Sequence, residues 1–136
     1  MSDKEFDVKI VTPDKIFFDS KGTMVEFNTT EGEIGVYPEH IPLTTIIAPG
    51  VLTIHTDKGL KTAALHSGFA EIRKDKVTFL AEIIEWAEDI DVERAEEAEK
   101  RARERLSGKQ MSVDIKRAEF ALKKAIIRRS AAENVK

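Results

Sequence analysis

The feature that most constrains this chain is a break in its chemistry near residue 86. Eight of the nine aromatic residues lie at or before Trp86, and so do six of the seven glycines and all four prolines. Residues 1–84 carry 9 Lys/Arg against 13 Asp/Glu, whereas residues 85–136 carry 13 against 12 in a much shorter stretch. Aromatic, Gly and Pro punctuation suits short strands and turns, and dense charge without it suits solvated helices. The chain therefore divides into residues 1–86 and residues 87–136.

The first part reads as short apolar runs separated by turns. Phe6, Val8 and Ile10 alternate before Pro13-Asp14, and Ile16 to Phe18 precedes Lys21-Gly22. Met24 to Asn28 leads to Glu31-Gly32, and Val51 to His55 leads to Asp57-Lys58-Gly59. Phe69 to Ile72 and the alternating Val77, Phe79 and Ala81 flank Lys74-Asp75. Short strands at this spacing predict an antiparallel β-sandwich or barrel.

In the second part Ala95, Ala98, Ala102 and Leu106 recur at helical spacing, Ser107-Gly108-Lys109-Gln110 breaks the pattern, and Ala118, Ala121, Leu122, Ala125 and Ile126 resume it. Two helices and a short Gly-containing loop make an antiparallel hairpin. The fold class is thus α+β, a sandwich followed by a two-helix hairpin. Its alanine seam buries little apolar area, so the hairpin is expected to need a further surface to pack on and to be able to open. Residues 85–99 hold eight acids and one base, and residues 115–129 hold six bases and one acid. Antiparallel pairing sets these ends side by side, with acids at one helix start and bases at the other helix end, as the helix dipoles favour.

Several function classes fall away. The net charge of −3 is too mild to point to nucleic acid or an anionic membrane, and the absence of cysteine removes disulfides and thiolate zinc sites. The start MSDKEFD has no secretory character, and the most apolar window, residues 43–54, is too short to span a bilayer. A cytoplasmic protein is expected. The sequence contains no phosphate loop, HExxH or GxSxG, and His40, His55 and His66 are too scattered to suggest a metal site. No catalytic residue and no metal ligand is assigned.

Four stretches carry a resemblance: TEGEIGVYPEHIPLTTIIAPG (residues 30–50), HSGFAEIRKDKVTFLAE (residues 66–82), EDIDVERA (residues 88–95) and KRAEFALKKA (residues 116–125). In this order they resemble the epsilon subunit of bacterial F-type ATP synthase. Physically, Gly32, Gly35 and Gly50 allow turns closed to other residues. Pro38, Pro42 and Pro49 fix direction and limit edge pairing, and Gly68 beside Phe69 marks a close approach within the sheet.

The resemblance implies a non-catalytic central-stalk subunit, part of a proton-translocating complex, on the cytoplasmic side of the cell membrane and bound there only through the complex. The sandwich would join the gamma subunit to the c-ring, with Glu33 and His40 as c-ring contacts. The hairpin would obstruct ATP hydrolysis when extended into the alpha/beta catalytic head, with Lys116, Arg117, Lys123, Lys124, Arg128 and Arg129 as its handle. Relatives that bind ATP in the folded hairpin use I/L-D-x-x-R-A, which here reads Ile90-Asp91-Val92-Glu93-Arg94-Ala95. The implied ATP site is Glu85, Ile90, Asp91, Arg94, Ala95, Arg101, Lys124 and Arg128, with ATP a regulatory ligand and no required cofactor. Lys124 stands where ATP-binding relatives tend to have arginine, which keeps the charge and loses the bidentate fork. The residues alone also fit Asp91 as a helix cap with Arg94 and Arg101 as surface charges. A free-standing sandwich adaptor, or an ATP sensor with a helical docking arm, are the alternative readings.

Overall fold

The computed structural model describes residues 4–107 and 112–133, the side chains of 112–115 excepted. Eight strands come first: β1 (Phe6–Val11), β2 (Ile16–Gly22), β3 (Met24–Thr29), β4 (Gly32–Val36), β5 (Leu43–Ile47), β6 (Gly50–Thr56), β7 (Gly59–Ile72) and β8 (Lys76–Trp86). A 3-10 turn, Ala87–Asp89, leads into helices α1 (Val92–Ser107) and α2 (Ser112–Glu133). The Gly108-Lys109-Gln110 part of the expected interhelical loop lies outside the described residues, as do Met1–Asp3.

The strands run β2-β1-β8-β7-β5-β3-β4, with β6 bridging β3 and β7. Every pairing is antiparallel except β1 with β8, which run parallel. β7 makes the two layers possible. Its first half pairs with β6, its second half with β5, and Ala63 to Ile72 with β8. The core lies between the layers. Phe6, Val8 and Ile10 alternate into it from β1, Val25 and Phe27 from β3, Leu52 and Ile54 from β6, and Val77 and Phe79 from β8. Phe27 meets Phe79 edge to face with ring centroids 4.9 Å apart, a geometry that suits the two quadrupoles.

β4, β5 and the first half of β7 had no counterpart among the expected strands. Their composition hides them. β4 is GEIGV, with only Ile34 and Val36 turned inward, and β7 begins GLKTAAL, whose alanines have weak strand preference but fit under a covering layer. The glycines also divide by cause. Gly32 has φ +123°, the left-handed turn expected of it, but Gly50 is needed for room: a Cβ there would lie 2.1 Å from Asn28 Nδ2. Gly68 needs both its φ of +139° and the space, since a Cβ would sit 2.0 Å from the Leu80 carbonyl oxygen. The close sheet approach expected at Gly68 is therefore present.

The hairpin is folded down on the sandwich. Ala95, Ala102, Ala118 and Ala125 are buried along the helices, as the alanine spacing required. Ala64 of β7, Ala87, Ile90 and Ala95 then form a second buried cluster with Ile127, Ala131 and Ala132 of α2, flanked by Val51 and Val92. The sandwich thus supplies, against α2, the further surface that the seam lacks. It also runs on past the basic stretch, so Arg128 and Arg129 lie just before a final turn that carries no base.

Candidate functional site

The junction of β8, the 3-10 turn, α1 and α2 gathers most of the expected nucleotide residues. Asp91 starts α1 by accepting a hydrogen bond at Oδ1 from the Arg94 amide, 3.2 Å, while its carbonyl accepts one from the Ala95 amide, 3.0 Å. This satisfies orphan donors of the first turn, so the capping role of the segment is physical fact. Ile90 and Ala95, 7% and 0% exposed, belong to the buried cluster under α2. Asp91 and Arg94 are exposed and form the part of the motif open to a ligand.

Glu85 and Arg128 are brought into direct contact. The Arg128 guanidinium donates from Nε and Nη2 to the two carboxylate oxygens of Glu85, joining the last strand to the second helix. Both side chains are about one-third exposed or less. Lys124 lies one turn earlier, its ammonium 5.6 Å from the centre of the Phe120 ring. Arg101 is exposed on α1. Glu85 and Arg128 therefore meet, Asp91 and Arg94 sit at the adjoining helix start, and neither Arg94, Arg101 nor Lys124 forms an ion pair among the described residues.

A second charged group closes the hairpin itself. Glu99 of α1 accepts from Arg129 Nε at 2.7 Å and from Arg103 Nη2 at 2.9 Å, and Arg129 also reaches Glu133 at 3.1 Å. Hydrogen bonds from Arg103 and Arg129 hold the Glu99 carboxyl below the usual carboxylate range. The same contacts raise Arg129 further above its ordinary value. The acidic first half of α1 thus meets the basic stretch of α2 that precedes its final turn, the side-by-side opposition of charge that antiparallel pairing predicts. Glu99, Arg103, Glu104, Ser107 and Arg129 line an open groove of about 600 Å3 that includes none of the expected nucleotide residues. Glu99 and Arg103 were not singled out in the sequence, although their i,i+4 spacing, like that of Arg129 and Glu133, was a visible signal.

The remaining expected residues are spread over the surface, except that Glu33 of β4 and Lys123 of α2 line one open pocket between sandwich and hairpin. Lys116, Arg117 and Lys123 are exposed along α2, whereas Arg128 and Arg129 are engaged by Glu85 and Glu99 in this folded state. Glu33 is exposed on β4, and His40 follows in the β4–β5 connection with Nδ1 donating to the Ile41 carbonyl at 2.6 Å. Sequence reasoning did not single out an apolar row on the outer sheet. Ile46, Phe69 and Leu80 stand in register on β5, β7 and β8, and Val11 and Ile16 continue the row on β1 and β2. Ile46, Phe69, Leu80 and Ile16 are each more than half exposed. No helix among the described residues is long and apolar enough to cross a membrane.

This two-part architecture is shared with known proteins. Residues 5–87 match the family described as ATP synthase, Delta/Epsilon chain, beta-sandwich domain, and residues 88–133 match its long alpha-helix domain. An ATP synthase epsilon chain from Clostridium novyi is 46% identical, with 92% of this chain and 95% of that one aligned. One from Halalkalibacterium halodurans is 42% identical over the same shares. Among solved structures, a chain of the Euglena gracilis mitochondrial ATP synthase superposes with a TM-score of 0.83 at 23% identity, covering 93% of this chain and 81% of that one. A chain of the Tetrahymena thermophila mitochondrial ATP synthase gives 0.68 at 12% identity, covering 97% and 99%. These two show likeness of fold. The sandwich and the helical domain, matched in order and over nearly the whole length, place the chain in the ATP synthase epsilon chain family, as a non-catalytic subunit of that enzyme.

Proposed function

We propose that the protein is a rotor-side coupling and regulatory subunit: its sandwich joins gamma to the c-ring, and its hairpin is a reversible arm. The relatives with this fold include chains from assemblies described as OSCP/F1/c-ring and central stalk/c-ring. The exposed row of Ile46, Phe69, Leu80 and Ile16 supports a protein partner on the outer sheet, and gamma fits that role. The exposed β4 and β4–β5 region, with Glu33 and His40, is the proposed c-ring end. Association with the membrane is peripheral, through the complex, at its cytoplasmic face.

The observation that carries the regulatory reading is the nature of the dock. α2 is held to the sandwich by a short cluster, mostly alanine with Ile90 and Ile127, and by one ion pair among the described residues, Glu85–Arg128. Alanines bury little area, and a partly exposed pair contributes about 0–1 kcal/mol, so this closure is easily reversed. Extended, α2 would free Arg128 and Arg129 to join Lys116, Arg117, Lys123 and Lys124 against acidic groups of the alpha/beta head and obstruct hydrolysis. In the folded state the candidate site is Asp91 and Arg94 at the helix start, the Glu85–Arg128 pair beside it, and Lys124 one turn before Arg128 on α2. Two or more cations there suit a triphosphate, and the carboxylates suit adenine or ribose donors. A ligand of the folded state favours closure by RT ln(1 + [L]/Kd), about 2.7 kcal/mol at a hundredfold excess over Kd. ATP therefore biases the arm toward the permissive form. Calorimetric titration of the full chain with ATP tests the site. Saturable binding that Arg94→Ala removes supports it; no heat at millimolar ATP contradicts it.

A further inference from the structure

The interface between sandwich and hairpin contains one titratable side chain that neither the coupling role nor the nucleotide site uses. Leu65 pairs with Ile84 and Ser67 with Ile83, so His66 is an extra residue on β7 with no counterpart on β8. Such a bulge re-aims a side chain. His66 is 3% exposed, and neither ring nitrogen meets a hydrogen-bond partner among the described residues. A buried imidazole without a partner is costly, and one that must also carry charge is far costlier.

Its charged surroundings come from both sides of the dock. Glu85 acts on it from β8, and Lys124 and Arg128 act on it from α2. The residues of β5 and β6 nearest this part of β7 in register, Ile47 and Gly50, carry no charge, and Glu88 and Asp89 of the 3-10 turn are exposed. Burial, then the nearby Lys124 ammonium, with Arg128 adding to it, hold the imidazole below the ordinary histidine range against the opposing pull of Glu85.

We propose that His66 is a proton-operated release for the hairpin, in which protonation of the imidazole buried between β7 and α2 drives α2 off the sandwich. Two effects act together. The imidazolium repels Lys124 and Arg128 across the interface, and it competes with Arg128 for the Glu85 carboxylate, the ion pair that ties α2 to β8. Undocking returns the ring to water, where its proton costs nothing extra. The sign follows: the docked state binds the proton less well than the open one. Docking is therefore at full strength above the ordinary histidine pKa, weakens as pH falls below about 6.5, and levels off once the docked form is itself protonated. The Glu99 carboxylate, held low by its arginines, keeps its charge through that window, so the hairpin's own ion pairs stay intact while it swings.

The inference rests on the arm exchanging between docked and extended forms, but not on what the extended form inhibits. The test uses the full chain, which has no native cysteine to interfere with labelling. Probes are attached at D57C on the β6–β7 turn and E119C on α2, both exposed positions, and their separation is followed by spin-label distance measurement from pH 8 to pH 5. The expected result is one docked separation at pH 8 and a growing longer population below pH 6.5. Each unit by which docking lowers the imidazole pKa raises the open-to-docked ratio about tenfold. His66→Asn, polar but not titrating here, holds the docked separation throughout, and its retention separates His66 from His40 and His55. Docking that is unchanged by pH, or that weakens equally in His66→Asn, overturns the proposal. The ring resonances of wild-type His66 give a readout that needs no variant; a titration midpoint at or above that of free histidine overturns it equally. Failure here leaves the calorimetric test of the ATP site untouched, so the two readings fail separately.

Discussion

Arg128 of α2 donates two hydrogen bonds to Glu85 of β8, a contact between residues 43 positions apart that ties the helical hairpin to the sandwich. It is the one ion pair between the two parts among the described residues. Both side chains are partly exposed, so a charge-assisted bond here falls toward the lower end of its range, about 1 kcal/mol. Arg128→Ala is expected to weaken docking by about that amount, roughly a fivefold gain in the open population. Amide exchange of Ala64 and its β7 neighbours checks this, since they lie under α2 when the arm is docked. Glu85→Gln should act in the same direction.

Phe69 carries the second prediction. It stands between Ile46 and Leu80 in the exposed cross-strand row, and its ring is about half exposed, so it contributes little to the sandwich core. Phe69→Glu should change the stability of the isolated chain by less than about 1 kcal/mol, while weakening association with gamma by about 2 kcal/mol or more, as aromatic anchors at interfaces commonly do. Thermal melting of the variant alone and a pull-down with purified gamma measure the two effects independently.

The sequence made much of this legible, and the residues show where it stopped. The alternation of Phe6, Val8 and Ile10 and the recurrence of Ala95, Ala102, Ala118 and Ala125 exposed the core and the seam directly, because one side-chain period defines one face. The opposition of Glu99 to Arg129 followed from charge blocks in an antiparallel pair. β4 and the start of β7 escaped notice because Gly- and Ala-rich strands are chosen for what lies against them. His66 escaped for a related reason: its burial depends on a bulge and on α2 lying across it, and neither is written near residue 66. Likewise Ile90 and Ala95 read as a motif for a ligand, yet in the fold they first serve as the packing under α2.

The Glu99 network sets a pH dependence distinct from that of His66. Arg103 first, and then Arg129, hold its carboxyl below the ordinary value. Because the folded pKa is depressed, the stabilisation is complete above the unfolded glutamate pKa, about 4.3, and is lost as pH falls through the folded value. Pairing of α1 with α2 should therefore loosen only in strong acid. Glu99→Gln should loosen it at neutral pH and flatten the acid limb, as followed by helix-specific circular dichroism in denaturant at pH 7 and pH 3.

The proposed ATP site makes a prediction at Lys124. A lysine offers a point charge where an arginine offers a planar fork, and the fork suits phosphate better. Lys124→Arg is expected to tighten ATP binding by about 1 kcal/mol, roughly fivefold, with Arg94→Ala abolishing it in both backgrounds. Calorimetry on the two single variants and the double variant settles the ordering.

The central claim is that the sandwich couples and the hairpin restrains. The sandwich has its own core, separate from the cluster under α2, so a chain ending at Glu88 keeps the coupling part intact. ATP hydrolysis by the assembled complex, measured with the full chain and with that truncated chain, tests the claim most directly. The account predicts faster hydrolysis with the truncated chain, most of all at low ATP, where the arm is least held in its folded form. Equal rates at every ATP concentration would contradict it.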